Sequence, residues 1–468
     1  MLLSLHERSS YLFPVVSAFA LLITLPPFNL WPLILVALVP LCIFVYQEKN
    51  RRRVFFGGLF FGLIFSGSLS FMVFSSFSWI PEAYLFSNSV KLLAVPVVLF
   101  ISAVIALVVY LSKVLMPRTL FGRAMLLGTL FAVIEWIMSN VLVGFNYGSP
   151  AYAASHIPAL RFLASIGGTS LVTFAVAFGN AAFAEALWFL FETKKRNFDL
   201  LTPLCIFGAI IGASSFYQYI LSAAPAAASS SVSVAVIQDS TRKKGEAFGT
   251  VVDGSFQFPL LEKRVKEALA LHPDIIIYPF SPWVGVIADR LDNSGFTTDV
   301  VGMDFAIFKK WLTAHIPPET TLVTWDTRLE GERYWSEIAF WKGGALAGSY
   351  KKIKLFPFFD YTPQWAEQLG IYSTPIDGTA GTSTSPIIIG KAVIGNLVCS
   401  EVTRPDSARE NGGTADVLFA IGSEAMFTSP LASEFNLLNT QLRAVESGRY
   451  VIRANKFGSS ALIDPYGN

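Results

Sequence analysis

At 468 residues the chain exceeds one ordinary domain, and two or more are expected. A mean hydropathy of +0.53 with only 15% charged residues excludes an ordinary soluble protein and points to membrane spans. A net charge of +2 without a long basic run leaves no footprint for nucleic acid, and three cysteines at 42, 205 and 399 give no disulfide framework.

Composition changes abruptly near residue 223. Before it, long apolar runs predict seven spans at about 11–27, 31–46, 54–73, 90–112, 122–143, 167–190 and 200–222. The first two are shorter and are joined by "PPFNLWP", whose prolines mark a tight re-entry. Basic residues cluster in alternate connections: Lys49, Arg51, Arg52 and Arg53; then Lys113, Arg118 and Arg123; then Lys194, Lys195 and Arg196. The connections between them hold only Arg161, with Lys91 at a span edge. The positive-inside rule places the basic set and the N-terminus in the cytoplasm, so seven crossings leave residue 223 on the outer side. The expected organisation is a transmembrane helical domain over 1–222, a small-residue linker over 223–231 ("AAPAAASSS") and an extracytoplasmic domain over 232–468.

The second half carries α/β signals. "VSVAVIQ" and "DIIIYPF" are β-branched runs fit for buried strands, with the helical spacing of "LLEKRVKEALA" between them. "TTLVTWDTR", "EIAFWKGGALAGSYKKI", "AVIGNLVCSE" and "VLFAIGSE" continue the strand pattern, and "LNTQLRAVESGR" predicts an amphipathic helix. Fully apolar strands interleaved with helices predict a sheet covered by helices. The chain closes on "DPYGN", a turn sequence that normally leads into another strand.

Two stretches carry candidate chemistry. In "GNLVCSEV" Cys399 follows a predicted buried strand and has no cysteine partner in its own domain. In an oxidising compartment such a thiol is either buried and inert or kept for its reactivity, and the residues alone leave both open. Glu401, two places on, shares a face with Cys399 if the strand continues. "YKKIKLFPFFDYTP" holds Lys351, Lys352 and Lys354 among prolines and aromatics: a basic surface loop, or the cation that a thiol nucleophile needs for its oxyanion. The four histidines lie far apart without ligand spacing, so no metal site is expected.

Together these segments resemble the apolipoprotein N-acyltransferases. "GSYKKIKLFPFFDYTP" is similar to their Y-x-K-x-x-L-x-P-F-G-E-x-x-P signature, "LVCSE" to their C-Y-E motif, "FAIGSEAMF" to S-N-D-A-W-F, and "QLRAVESGRYVIRANKFG" to R-A-x-E-x-x-R-x-x-x-R-x-x-N-x-G. The resemblance spans nearly the whole chain. It implies a multispan α-helical membrane domain followed by an α/β nitrilase-like domain of αββα type, in the bacterial inner membrane, facing the periplasm.

The resemblance further implies a cofactor-free ping-pong reaction by a monomer, with no nucleic acid involved. A cysteine takes an acyl chain from a membrane phospholipid as a thioester, then passes it to the N-terminal amine of a diacylglyceryl lipoprotein. By position Cys399 is the nucleophile and Lys352 the oxyanion-stabilising lysine, with Asp360, Tyr350 and Phe358 in the substrate-binding signature. The departures are informative. Where the fold carries Pro-Glu as general base, Phe280 follows Pro279 in "YPFSPW". A phenyl ring accepts no proton, so Glu401 becomes a candidate substitute base, and the alternative is an impaired homologue that binds lipid or lipoprotein without acyl transfer. Ser400, Phe359, Met426 and Lys456 replace tyrosine, glycine, tryptophan and asparagine of the family pattern, Asn455 standing one place early. The ending at Asn468 falls before the family's last strands and closing helix, so a fragment or a trimmed domain is expected.

Overall fold

A computed structural model describes residues 11–75, 88–141, 148–192, 201–223, 231–238, 254–279, 305–330, 333–358, 360–370, 377–424, 427 and 430–468. The chain divides into two compact units, one of residues 1–76 and 91–225, the other of residues 77–90 and 226–468.

Five helices of the first unit are long and apolar enough to cross a membrane: Arg51–Val73, Ala94–Val114, Leu120–Asn140, Ala164–Trp188 and Leu201–Leu221. Seven such spans are expected from the sequence, and the first two runs differ. The helix Leu12–Thr24 has 13 residues, about 20 Å at helical rise against about 30 Å of hydrocarbon. The second run breaks into a 3-10 turn, Trp31–Leu35, and a helix, Val39–Gln47. A broken helix in an apolar setting needs partners for its freed backbone groups. Asn180 supplies them from a neighbouring helix, donating to the Ile34 carbonyl (2.9 Å) and accepting from the Leu38 N–H (2.9 Å). Ser17 does the same at the Ala37 carbonyl (2.8 Å) and the Leu41 N–H (2.9 Å). Elsewhere in this unit Gly62 lets two helices touch: a Cβ there would lie 2.7 Å from the Ser102 Cα.

The second unit is a four-layer α/β sandwich. One sheet runs β1 (Val234–Val236), β2 (Ile275–Tyr278), β3 (Thr321–Glu330), β4 (Arg333–Lys342) and β5 (Ala345–Lys351) in spatial order. The other orders as β10 (Ala461–Ile463), β9 (Tyr450–Lys456), β8 (Val417–Ser423), β7 (Ala392–Val398) and β6 (Ile387–Ile389). Alternation within the apolar runs assigns each face. Ile275 and Ile277 point to the opposite sheet with Val323, Ile338, Phe419 and Ile421, while Ile276 and Tyr278 point to the outer helices with Trp311 and Leu312. Phe340 and Phe419 stack across the two sheets, ring centroids 6.2 Å apart. Each buried ring contributes about 1.5–3 kcal/mol over exposure. On the far side Leu397, Leu418, Ala420 and Val451 pack on Ala408 and Ala444 of the helices Pro405–Gly412 and Leu431–Ser447. The stretch "EIAFWKGGALAGSYKKI" is a hairpin, β4 and β5, turning at Gly343 and Gly344 with φ of 57° and 73°.

Parallel pairing of β7, β8 and β9 brings their C-terminal ends level. Val398 pairs with Ile421, and Gly422 with Asn455, so the residues that follow each strand emerge side by side.

Candidate active site

Cys399 leaves β7 with φ of 50° and opens the 3-10 turn Cys399–Thr403. A left-handed backbone at a residue with a side chain costs about 1–2 kcal/mol, and neighbours hold it there. Gly422 is one: a Cβ at that position would come 3.2 Å from the Cys399 Cα. Cys399 is a free, partly buried thiol.

The turn breaks the strand relation between Cys399 and Glu401. Glu401 is fully buried, and its carboxylate accepts the backbone N–H groups of Val398 (2.9 Å), Ile353 (2.9 Å) and Lys354 (3.0 Å). The Tyr350 hydroxyl donates to both of its oxygens at 3.1 and 3.2 Å and accepts from Asn411 Nδ2 at 3.2 Å. Burial pushes the Glu401 carboxyl up, while the N–H groups of Lys354 and Val398 pull it down. The bonds from Ile353 and Lys354 join the cysteine turn to the segment after β5, and those from Tyr350 join it to β5 itself. Both carboxylate oxygens of Glu401, the expected substitute base, are thus engaged by backbone N–H groups and the Tyr350 hydroxyl.

Lys352 lies at the end of that segment with 2% of its surface exposed. Its Nζ donates to Asp360 Oδ2 at 2.5 Å, and the same oxygen accepts the Phe356 N–H at 2.6 Å. One carboxylate thus closes the loop 352–360 and neutralises the buried cation. Burial opposes the charge on Lys352, yet the Asp360 carboxylate, with Cys399 and Glu401, holds its ammonium above the ordinary value. Burial pushes the Cys399 thiol up; Lys352 pulls it down, and Asp360 and Glu424 raise it.

The structure therefore brings Cys399, Lys352, Asp360, Tyr350 and Glu401 together. Phe358 sits further along the loop with φ of 66°, its ring edge-on to Trp365 at 5.7 Å. Trp365, on the helix Gln364–Gln368, is 52% exposed. Phe280, Phe359 and Met426 lie outside the described residues. Among the described residues no three His, Cys, Asp or Glu side chains converge as metal ligands.

Two further residues belong here that the sequence expectations omit. Asn411 completes the bonding of Tyr350, and Glu424 is a second buried carboxylate, whose charge raises the thiol. The signal for Glu424 is its place in "FAIGSEAMF", an acid directly after a buried parallel strand.

The family model described as the apolipoprotein N-acyltransferase N-terminal domain matches residues 17–182, and the carbon-nitrogen hydrolase model matches residues 307–468. Over 411 residues the chain is 26% identical to the apolipoprotein N-acyltransferase of Rhizobium meliloti (strain 1021), covering 83% of this chain and 73% of that protein. With the Azotobacter vinelandii apolipoprotein N-acyltransferase it shares 25% identity over 461 residues, 94% of this chain and 82% of that protein. With the Pseudomonas putida relative the identity is 25% over 457 residues, 95% and 85% of the two chains.

Proposed function

Since the chain belongs to the apolipoprotein N-acyltransferase family, we propose that it N-acylates the diacylglyceryl-cysteine at the N-terminus of bacterial lipoproteins, drawing the acyl chain from a membrane phospholipid through a thioester on Cys399. The observation that carries this reading is the buried Lys352–Asp360 pair beside a free thiol in a strained turn.

In the first half-reaction the Cys399 sulfur attacks the ester carbonyl of the donor. The oxyanion that forms is met by the Lys352 ammonium, held charged and in place by Asp360. Collapse releases a lysophospholipid and leaves the thioester. In the second half the lipoprotein amine attacks that thioester, and the cysteine leaves. Glu401 serves as a positioning residue, fixing the turn that carries the nucleophile against the segment that carries the cation. Phe358 and Trp365 offer aromatic surface to acyl chains at the edge of the same loop. The helices over 1–222 anchor the enzyme in the inner membrane, with the 232–468 domain in the periplasm.

A second reading, binding of lipid or lipoprotein without transfer, is favoured by one observation: Phe280 stands where a base is needed. Incubation with phospholipid separates the two. The acyl-transfer reading expects a hydroxylamine-labile mass increase on Cys399 equal to one acyl chain; absence of that adduct with an unmodified, folded protein supports the binder instead.

A further inference from the structure

Among the described residues, the carboxylates already named in the site leave the thiol proton of the acyl-transfer reading above without an acceptor. Glu401 is engaged by backbone donors, Asp360 by Lys352, and no carboxylate follows Pro279 in the next few residues of the sequence.

Glu424 meets the requirement. It follows β8 and is 4% exposed. Its Oε1 accepts from Asn436 Nδ2 at 3.0 Å and from the Arg453 guanidinium. Its backbone N–H is held by the Lys456 carbonyl (2.9 Å) and by Asn455 Oδ1 (3.1 Å). Its Oε2, in contrast, is buried with no hydrogen-bond partner among the described residues. A buried acceptor left unpaired is costly, and a catalytic role is one of the reasons a fold retains one. The chain also keeps space for this oxygen, since a Cβ on Gly458 would lie 1.6 Å from it.

The strand end that carries Glu424 runs against the turn of the nucleophile. Gly422, two residues before it, packs on the Cys399 backbone, and Asn455 pairs with Gly422 while bonding Glu424. The charge of Glu424 is felt at the thiol, together with those of Lys352 and Asp360. On its other side the charged neighbour is Arg453.

We propose that Glu424 is the proton acceptor of the Cys399 thiol, serving in place of the acid that Phe280 replaces. The proton on sulfur passes to Oε2 as the C–S bond forms at the donor carbonyl. When the ester C–O bond breaks, the lysophospholipid oxygen takes that proton from Glu424. In the second half the attacking amine gives its proton to Oε2 as the C–N bond forms, and the departing thiolate recovers it. The guanidinium of Arg453 holds the carboxylate through its other oxygen, Oε1.

The test uses the full chain in detergent with dioleoyl phosphatidylethanolamine, and reads two rates at Cys399 by mass. One is formation of the hydroxylamine-labile acyl adduct; the other is alkylation by iodoacetamide across pH. Glu424→Gln is expected to slow acylation by about 10²-fold or more while alkylation at neutral pH stays level or rises, because removing a nearby negative charge favours the thiolate. Phe280→Glu in that background is expected to restore part of the acylation. Unchanged acylation overturns the proposal, and so does a parallel fall of both rates, which marks a structural support of Arg453. Should Glu424→Gln fail to fold, Glu424→Asp keeps the charge and withdraws the oxygen by one methylene. It is expected to lose at least tenfold in acylation at unchanged thermal stability, and equal acylation overturns the proposal. A native protein that forms no thioester defeats the acyl-transfer reading itself, and this proposal with it, whatever the variants do.

Discussion

Glu401 and Ile353 are joined by a 2.9 Å hydrogen bond from backbone N–H to carboxylate, which ties the turn of the nucleophile to the segment of the lysine. Two more backbone N–H groups and the Tyr350 hydroxyl share the same buried acceptor. Removing it strands several donors at once, each costing about 1–3 kcal/mol when left buried and unmade. Glu401→Ala is expected to destabilise the chain by about 3 kcal/mol or more, seen as a lower unfolding temperature in detergent. A variant that keeps native stability and loses only acylation would give Glu401 the proton-transfer role instead.

The Lys352–Asp360 pair predicts an asymmetry between its partners. Lys352→Met removes the donor that meets the oxyanion and is expected to cost about 10²–10³-fold in thioester formation. Asp360→Asn keeps an acceptor for the Phe356 N–H and leaves the ammonium in place, so a smaller loss, about tenfold, is expected. Single-turnover acylation rates decide it. Equal losses in both variants would mean that the loop fold, rather than the cation, limits the reaction.

The thiol itself predicts a pH dependence. Burial and two carboxylates raise the Cys399 thiol above its ordinary value of 9.0, and Lys352 opposes them. Alkylation of Cys399 by iodoacetamide is therefore expected to have its midpoint above pH 9.0. Lys352→Met removes a cation that favours the thiolate, so its midpoint moves to still higher pH. A midpoint that moves down in this variant would contradict the geometry.

Gly422 predicts a packing effect at the same turn. A Cβ there meets the Cys399 Cα at 3.2 Å, tighter than ordinary contact. Gly422→Ala is expected to push the cysteine turn by a few tenths of an ångström and to lower acylation about tenfold, since small misplacements of a nucleophile are costly. Circular dichroism and unfolding temperature close to native, with slowed thioester formation, is the expected pair of results. Full acylation would show that the turn absorbs the methyl group.

The sandwich was legible because its strands are long enough and apolar enough to read. "DIIIYPF" and "VLFAIGSE" show β-branched and aromatic runs that fit only a buried sheet. The hairpin of β4 and β5 hid inside one long strand pattern, since only Gly343 and Gly344 mark its turn. The site was half legible. Cys399 and Lys352 stand out through motif and charge, but the left-handed turn at Cys399 reverses what spacing says about Glu401. Spacing assumes a continuing strand, and that assumption fails at one φ angle. Glu424 stayed hidden for another reason: its significance lies in an unpaired oxygen, and pairing is a property of the folded chain. In the first unit the sequence marks the first two of seven runs as shorter and joined by a tight re-entry at "PPFNLWP", while the 3-10 turn Trp31–Leu35 that breaks the second run shows only in the folded chain.

That shortening bears on the last prediction, the side of the membrane on which the chemistry occurs. If the helix Leu12–Thr24 and the broken run 31–47 re-enter as a pair, five crossings remain instead of seven. Both numbers are odd. The basic cluster Arg51, Arg52 and Arg53 opens the first long helix and is held on the cytoplasmic side by the positive-inside rule. Five crossings from there end outside, so the side assigned to the 232–468 domain survives the change in count. The expected measurement uses a background with Cys42, Cys205 and Cys399 replaced by alanine. Lys266→Cys, whose native side chain is 59% exposed on the helix Gly254–Leu269, should react with a membrane-impermeant maleimide on spheroplasts. Lys49→Cys, in the connection before Arg51, should react only after lysis. The reverse pattern would place the domain in the cytoplasm and remove its access to exported lipoproteins.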